Sequence, residues 1–236
     1  MSNVKLITLD LDNTLWDVDR VIIQAERQLL QWLNEHIPES LPHYQPEILN
    51  QIRQDVFSRF SGQSHDLSFM RTQILFEVMK RTGLSDRQAK HQAAAAFDVF
   101  FEGRNQVELF AGALEMLQNL SRNFALIALT NGNADIKKAG LADFFNGAFS
   151  AADVGNKKPH PAMFNAPLEA FKLKPSQAIH IGDHLIDDIQ GASDVGMHSI
   201  WVNLTGSRSE DAAAKPSREV NHLTAVEAAV SLISSS

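Results

Sequence analysis

Cysteine is absent from this 236-residue chain, which excludes a disulfide framework, a thiolate nucleophile, an iron–sulfur cluster and cysteine-ligated zinc. Any metal must then sit on oxygen or histidine nitrogen, and oxygen ligands favour magnesium or its relatives. A basic excess is absent as well. The 21 Lys and Arg against 28 Asp and Glu give a formal charge of −7, without the electrostatic footprint of a protein that tracks nucleic acid or an anionic membrane. Long apolar runs are missing too: Phe124-Ala125-Leu126-Ile127-Ala128-Leu129 is far short of a membrane span. The opening stretch meets Asp10 too early for a secretory leader. The expectation is a cytoplasmic protein, monomer or homodimer, with no nucleic-acid or membrane partner.

Hydrophobic residues make up 44% of the chain, enough to close a core in one domain or two. Short apolar runs recur at residues 4–9, 125–129, 178–181 and 199–202, each followed closely by polar or glycine-containing residues. Such runs fit strands buried on both faces, which belong to parallel sheets covered by helices. Helical spacing over 111–122, 160–171 and 187–195 supplies crossovers. The expected fold is therefore α/β, a Rossmann-like parallel sheet sandwiched by helices. Between the first two runs the helical patterns 21–35, 46–60, 69–82 and 86–101 fill far more chain than one crossover needs. Pro38, Pro42, Pro46, Gly62 and Gly83 punctuate them. An inserted α-helical domain is expected over 16–105, with the α/β core made of 1–15 and 106–236.

In open parallel sheets chemistry gathers at the carboxyl ends of the strands. The first run ends in Asp10-Leu11-Asp12-Asn13-Thr14. With strand geometry Asp10 and Asp12 project to one side, and two carboxylates so close need a cation, a shared proton or both. An acidic turn capping the next helix is the plainer alternative. The second run ends in Thr130-Asn131-Gly132, an oxyanion cradle or a common turn. Gly155-Asn156-Lys157-Lys158-Pro159 presents two lysines in a loop, either of which could bind an anion or simply meet solvent. The third run, Ala178-Ile179-His180-Ile181, gives way to Gly182-Asp183-His184, with Asp187 and Asp188 at a helix start where the dipole alone favours acids. If the first and third strands are neighbours, Asp183 arrives beside the first aspartates in a hard, oxygen-rich site suited to magnesium. A zinc or iron site on His180, Asp183, His184 and Asp187 is the weaker reading, because the two histidines would have to converge across a strand-to-loop break.

The ordered series Asp10-Leu11-Asp12-Asn13-Thr14, Thr130-Asn131, Lys158-Pro159 and Gly182-Asp183 through Asp188 resembles the four motifs of the haloacid dehalogenase-like hydrolase superfamily. The match spans the chain, and the insertion looks like that superfamily's helical cap. The resemblance implies that Asp10 is a nucleophile forming an aspartyl-phosphate and that Asp12 is the acid–base residue. It implies that Thr130, the Asn131 backbone and Lys158 hold the phosphoryl oxygens. Mg2+ would be bound by Asp10, the backbone carbonyl of Asp12 and Asp183, with Asp188, preferred over Asp187, ordering a coordinated water or the lysine. The implied reaction is hydrolysis of a small-molecule phosphate ester. A phosphomutase would keep every motif. A haloacid dehalogenase would also use the first aspartate, but has no alkoxide for Asp12 to protonate. A non-enzymatic phospho-acceptor receiver lacks a reason for the long insertion.

Within the insertion and its approach, Trp16 is expected to line the entrance and Arg71 to meet a second acidic group of the substrate, its alternative being a solvated helix arginine. The insertion and Thr130-Asn131-Gly132-Asn133-Ala134 look like bacterial phosphatases of flavin metabolism, which act on flavin mononucleotide and on a phosphorylated ribitylamino-uracil precursor of riboflavin. Sugar phosphates and nucleotides are the other substrate classes.

Overall fold

Among the residues that the computed structural model describes, 4–206 and 215–235, six strands form one wholly parallel sheet. They are β1 (Leu6–Leu9), β2 (Ala125–Thr130), β3 (Gly147–Ser150), β4 (Ala178–Gly182), β5 (His198–Val202) and β6 (Arg218–Val220), in the order β3-β2-β1-β4-β5-β6. The apolar runs explain the middle of the sheet. Every residue of β1 and β4 is buried, as expected where helices cover both faces. The strands β3 and β6 were not expected. They occupy the two edges and carry only partly buried, mixed sequences, Gly-Ala-Phe-Ser and Arg-Glu-Val, so no apolar run announces them.

The chain divides into two compact units, Met1–Val18 with Val107–Ser236, and Asp19–Gln106. The second holds four long helices: α1 (Val18–His36, from the unit boundary), α2 (Pro46–Arg59), α3 (Leu67–Arg81) and α4 (Asp86–Arg104). Each has a readable cause. In α1, Val21, Ala25, Leu29 and Leu33 recur every fourth residue and all are buried, the stripe of an amphipathic helix. Pro46 starts α2 at a position where its missing N–H costs nothing. The Asp66 side chain accepts from Phe69 N at 2.8 Å to start α3, and Ser85 with Gln88 forms a capping box for α4. Their apolar faces meet in one core that includes Leu29, Leu33, Ile52, Val78, Ala93 and Phe100.

The sheet unit adds α5 (Ala113–Ser121), α6 (Ala151–Val154), α7 (Pro161–Phe171), α8 (Gly191–Asp194) and α9 (Val226–Ser234). Met163, Phe164 and Leu168 of α7 close over Leu6, Ile127, Leu129 and Ala178 of the strands; each such fully buried side chain contributes about 1.5–3 kcal/mol. Helix α5 packs on β2, and α9 on β5 and β6. What positions chemistry here is the strand order: β1 lies between β2 and β4, with Leu9 opposite both Ala128 and Ile181. The chain reverses its winding direction there, which opens a crevice beyond the strand ends.

Candidate active site

Two strand ends, those of β1 and β4, deliver the acidic cluster. Asp10 N donates to Ile181 O at 2.9 Å, so the β1–β4 pairing continues one residue past β1 and carries Asp10 into the crevice. Beyond it the loop turns through Asn13, whose φ of 60° is left-handed, a conformation asparagine tolerates. The Thr14 hydroxyl thereby comes back to lie 3.1 Å from Asp10 Oδ2 and 3.3 Å from Asp183 Oδ1. From β4, Gly182 leads directly to Asp183, and the next residues form a π-helical turn, Leu185–Gln190. The wide turn is marked by Ile189 N donating to His184 O at 3.3 Å. Oxygens of Asp10, Asp183 and Asp188 all lie within 4.8 Å of one another.

Lys158 is the counter-charge. Its Nζ lies 2.6 Å from Asp10 Oδ1 and 2.6 Å from Asp188 Oδ1, with the side chain almost fully buried. Lys157 is exposed, so Lys158 is the one of the two lysines that enters the cluster. Asn131 fixes the loop that carries the lysine: its Oδ1 accepts from Lys158 N at 2.6 Å, while its Nδ2 donates to Lys158 O at 3.0 Å and to Asp187 Oδ2 at 3.2 Å. Thr130, buried at the end of β2, accepts from Gly132 N through its hydroxyl at 2.9 Å. Behind the lysine the polar chain continues inward. His180 Nε2 meets Asp188 Oδ1 at 2.9 Å and His180 Nδ1 meets the Thr8 hydroxyl at 2.7 Å. Thr8 and His180 face each other in the β1–β4 register.

The electrostatics follow from burial and crowding. Burial first, then the charges of Asp188 and Asp183, hold the Asp10 carboxyl well above the ordinary carboxylate range, with Lys158 opposing. Burial and Asp188 push Asp183 up to about 6. Burial also works against an ionised Asp188, but Lys158 and His180 overcome it and hold that carboxyl well below its usual range. Lys158, against burial, is kept charged by Asp10 and Asp188. Burial lowers His180, so its neutral ring donates from Nε2 to Asp188 and accepts at Nδ1 from Thr8. Three carboxylates face one ammonium. Were all three ionised, carboxylates at the 4.8 Å limit of the cluster would repel by about 3 kcal/mol per pair at an effective dielectric near 20. The donor set therefore fits a divalent cation, whose hard oxygen preference and double charge supply what the lysine alone does not.

Asp10, Asp12, Thr130, Asn131, Lys158, Asp183 and Asp188 all line one cavity of about 170 Å³, together with Asn13, Gly132, His184 and Asp187. That is room for a tetrahedral anion and several waters at roughly 30 Å³ each. Two expected residues have other partners. Trp16 does not line the cavity: its side chain is fully buried and its indole Nε1 donates to Asp12 Oδ1 at 2.8 Å. Arg71 belongs to the helical unit, where its Nη1 lies 2.6 Å from Glu26 Oε1 and its guanidinium stacks 3.5 Å over the Phe100 ring. The sequence offers His180 only as a ligand of the weaker zinc or iron reading, and gives Thr8 and Thr14 no working role. The available signal was polarity within an apolar run, for Thr8 in β1 and His180 in β4; their partnership spans 172 residues and is visible only in the fold.

The sequence matches the family described as haloacid dehalogenase-like hydrolase over residues 4–196. It is 29% identical over 229 residues to the 5-amino-6-(5-phospho-D-ribitylamino)uracil phosphatase YigB of Escherichia coli (strain K12), covering 96% of each chain. It is 28% identical to the glyceraldehyde 3-phosphate phosphatase of Pyrococcus furiosus, across 85% of this chain and 81% of that one. The crystal structure of 2-haloacid dehalogenase from Pseudomonas syringae pv. Tomato DC3000 matches with a TM-score of 0.92 at 38% identity, covering 97% of this chain and 99% of that one. Phosphatases and a dehalogenase thus both stand among the relatives. No helix among the described residues is long and apolar enough to cross a membrane.

Proposed function

The chain belongs to the haloacid dehalogenase-like hydrolases, and we propose that within that family it is a magnesium-dependent phosphatase acting on small-molecule phosphate esters through an aspartyl-phosphate on Asp10. The observation that carries this reading is the convergence of Asp10, Asp183 and Asp188 around Lys158 in a cavity that also holds Asp12. A phosphate monoester is a dianion that repels an anionic nucleophile, so positive charge must dominate its site. Its alkoxide leaving group needs a proton. A halide leaves as a stable anion and needs neither, so the dehalogenase reading gives the acidic cluster and Asp12 no task.

Asp10 attacks phosphorus through a carboxylate oxygen, the P–O bond to the leaving group breaks, and Asp12 gives that oxygen its proton. Asp12 then takes a proton from the water that opens the acyl phosphate, returning both residues to their starting states. Lys158, the Thr130 hydroxyl and the Asn131 backbone hold the non-bridging oxygens, while the Asn131 side chain keeps the lysine loop in place. Magnesium, held by Asp10, Asp183 and the Asp12 carbonyl with Asp188 behind it, would neutralise charge on the phosphoryl group. The helical insertion takes the role of the cap that selects the leaving group. The first substrates to try are the phosphorylated ribitylamino-uracil precursor of riboflavin, named for the Escherichia coli relative, and flavin mononucleotide.

Phosphate release from p-nitrophenyl phosphate and from these two esters, with magnesium and with chelator, tests the reading. Turnover should require the metal and vanish in Asp10→Asn. Halide release from 2-chloropropionate without phosphate release from any ester would overturn it in favour of the dehalogenase.

A further inference from the structure

We infer that Trp16 is a positioning residue for the acid–base carboxylate: its buried indole N–H holds Asp12 in the orientation from which it serves the leaving oxygen. The inference rests on the phosphatase reading of Asp12 and extends it to a residue with no contact to the cavity.

Trp16 is itself held firmly. Its carbonyl accepts from Asn13 N at 2.7 Å, it bridges to Asp12 on one side and to Leu109 on the other, and the adjacent Leu15 O accepts from Phe110 N at 2.8 Å. The ring is fully buried, so it has no rotamer freedom to follow a moving carboxylate. Its one polar atom, Nε1, donates to Asp12 Oδ1 at 2.8 Å. An indole N–H can only donate. The oxygen it engages is therefore the one that stays unprotonated while Asp12 works as an acid, and the transferable proton belongs on Oδ2. As the Asp10–P bond forms and the ester P–O bond breaks, that proton passes from Oδ2 to the leaving oxygen. Small misplacements of a catalytic group are costly in rate.

The opposite account is that Asp12 merely satisfies a buried indole. The two differ in one readout. Trp16→Phe keeps the apolar ring and deletes the donor. If Trp16 positions the acid, kcat/KM for an alkyl phosphate falls about ten-fold further than kcat/KM for p-nitrophenyl phosphate, whose leaving group needs little protonation; this is the scale of one hydrogen bond to a charged group. Equal losses on both esters, or a gain on the alkyl ester, would overturn the inference. Asp12→Asn run alongside separates the levels: if it shows no preference for the activated ester, the acid role itself fails, whereas a preference there and none in Trp16→Phe refutes only the Trp16 assignment. Should Trp16→Phe not fold, the indole proton resonance of Trp16 serves instead. It should shift upfield and exchange faster with solvent in Asp12→Ala, and an unchanged resonance would refute the contact.

Discussion

Replacing Gly182 by alanine tests how tightly the acidic cluster is built. A Cβ at this position would stand 2.7 Å from Asp188 Cβ and closer still to its Cγ and Oδ2. Ordinary carbon contacts begin near 3.4 Å, so the Asp188 carboxylate must retreat by about 1 Å, a distance that costs about 10²-fold in rate when a working group is misplaced. Retreat is not free. Asp188 is pinned by Lys158 at 2.6 Å, by His180 at 2.9 Å and by the His184 N–H at 2.9 Å. Forcing an extra methyl into such a site costs about 1–3 kcal/mol. The expected result for Gly182→Ala is a kcat lowered about 10²-fold toward p-nitrophenyl phosphate at saturating magnesium, weaker magnesium binding by titration calorimetry, and a lower unfolding midpoint. Gly147→Ala is the control, since its added Cβ meets nothing closer than Ile127 Cδ1 at 3.4 Å. A Gly182→Ala enzyme with wild-type kcat and magnesium affinity would refute the claim that Asp188 must sit against the backbone of β4.

Two more tests follow from the same cluster. Because Asp10 and Asp183 have raised pKa values in the fold, about 8 and about 6, the folded chain keeps protons that the unfolded chain loses near pH 4, and stability of the metal-free protein should fall as pH rises from about 4, until about 6 for the Asp183 contribution and about 8 for that of Asp10. Magnesium or Asp10→Asn should flatten that fall, and parallel melting profiles in chelator for wild type and Asp10→Asn would contradict it. His180→Leu removes a donor from buried Asp188 and should cost about 1–3 kcal/mol of stability together with magnesium affinity. His180→Gln, which keeps a donor near the Nε2 position, should recover part of both; identical losses in the two variants by denaturant titration would rule out the donor role.

The legible parts of this molecule were those written in contiguous residues. Leu6-Ile7-Thr8-Leu9 running into two aspartates announced both a buried strand and a charged end. The strand runs likewise predicted the parallel sheet, and the apolar spacing of Val21, Ile22, Ala25, Leu29, Leu30 and Leu33 predicted a helix, though Leu30 of that face is exposed. What adjacency could not separate, burial did: Lys157 and Lys158 have the same chemistry, yet only one points into the cluster. For Asp187 and Asp188 the deciding feature is the π-helical turn, in which Asp188 is buried while Asp187 stays half-exposed and meets Asn131. A regular helix was expected there, and no propensity marks the wider turn. The edge strands escaped because their half-exposed sequences carry no pattern. Trp16 was assigned to an entrance because an aromatic beside a nucleophile loop suggests a ligand. Its backbone bridges to Leu109, which lies 93 positions further along, and its ring is fully buried.

The pairing of Trp16 with Leu109 also defines a port. Residues 15–16 and 109–110 are joined by backbone hydrogen bonds, so the sheet unit closes on itself where the long excursion departs and returns. Chain can be added, shortened or swapped at such a neck with little effect on the scaffold that carries it. On the proposed reading of the insertion as the cap, a change of ester then needs the replacement of only one contiguous stretch, while the strand ends are inherited unaltered. For engineering, the neck marks natural splice points for transplanting a relative's selectivity onto this framework.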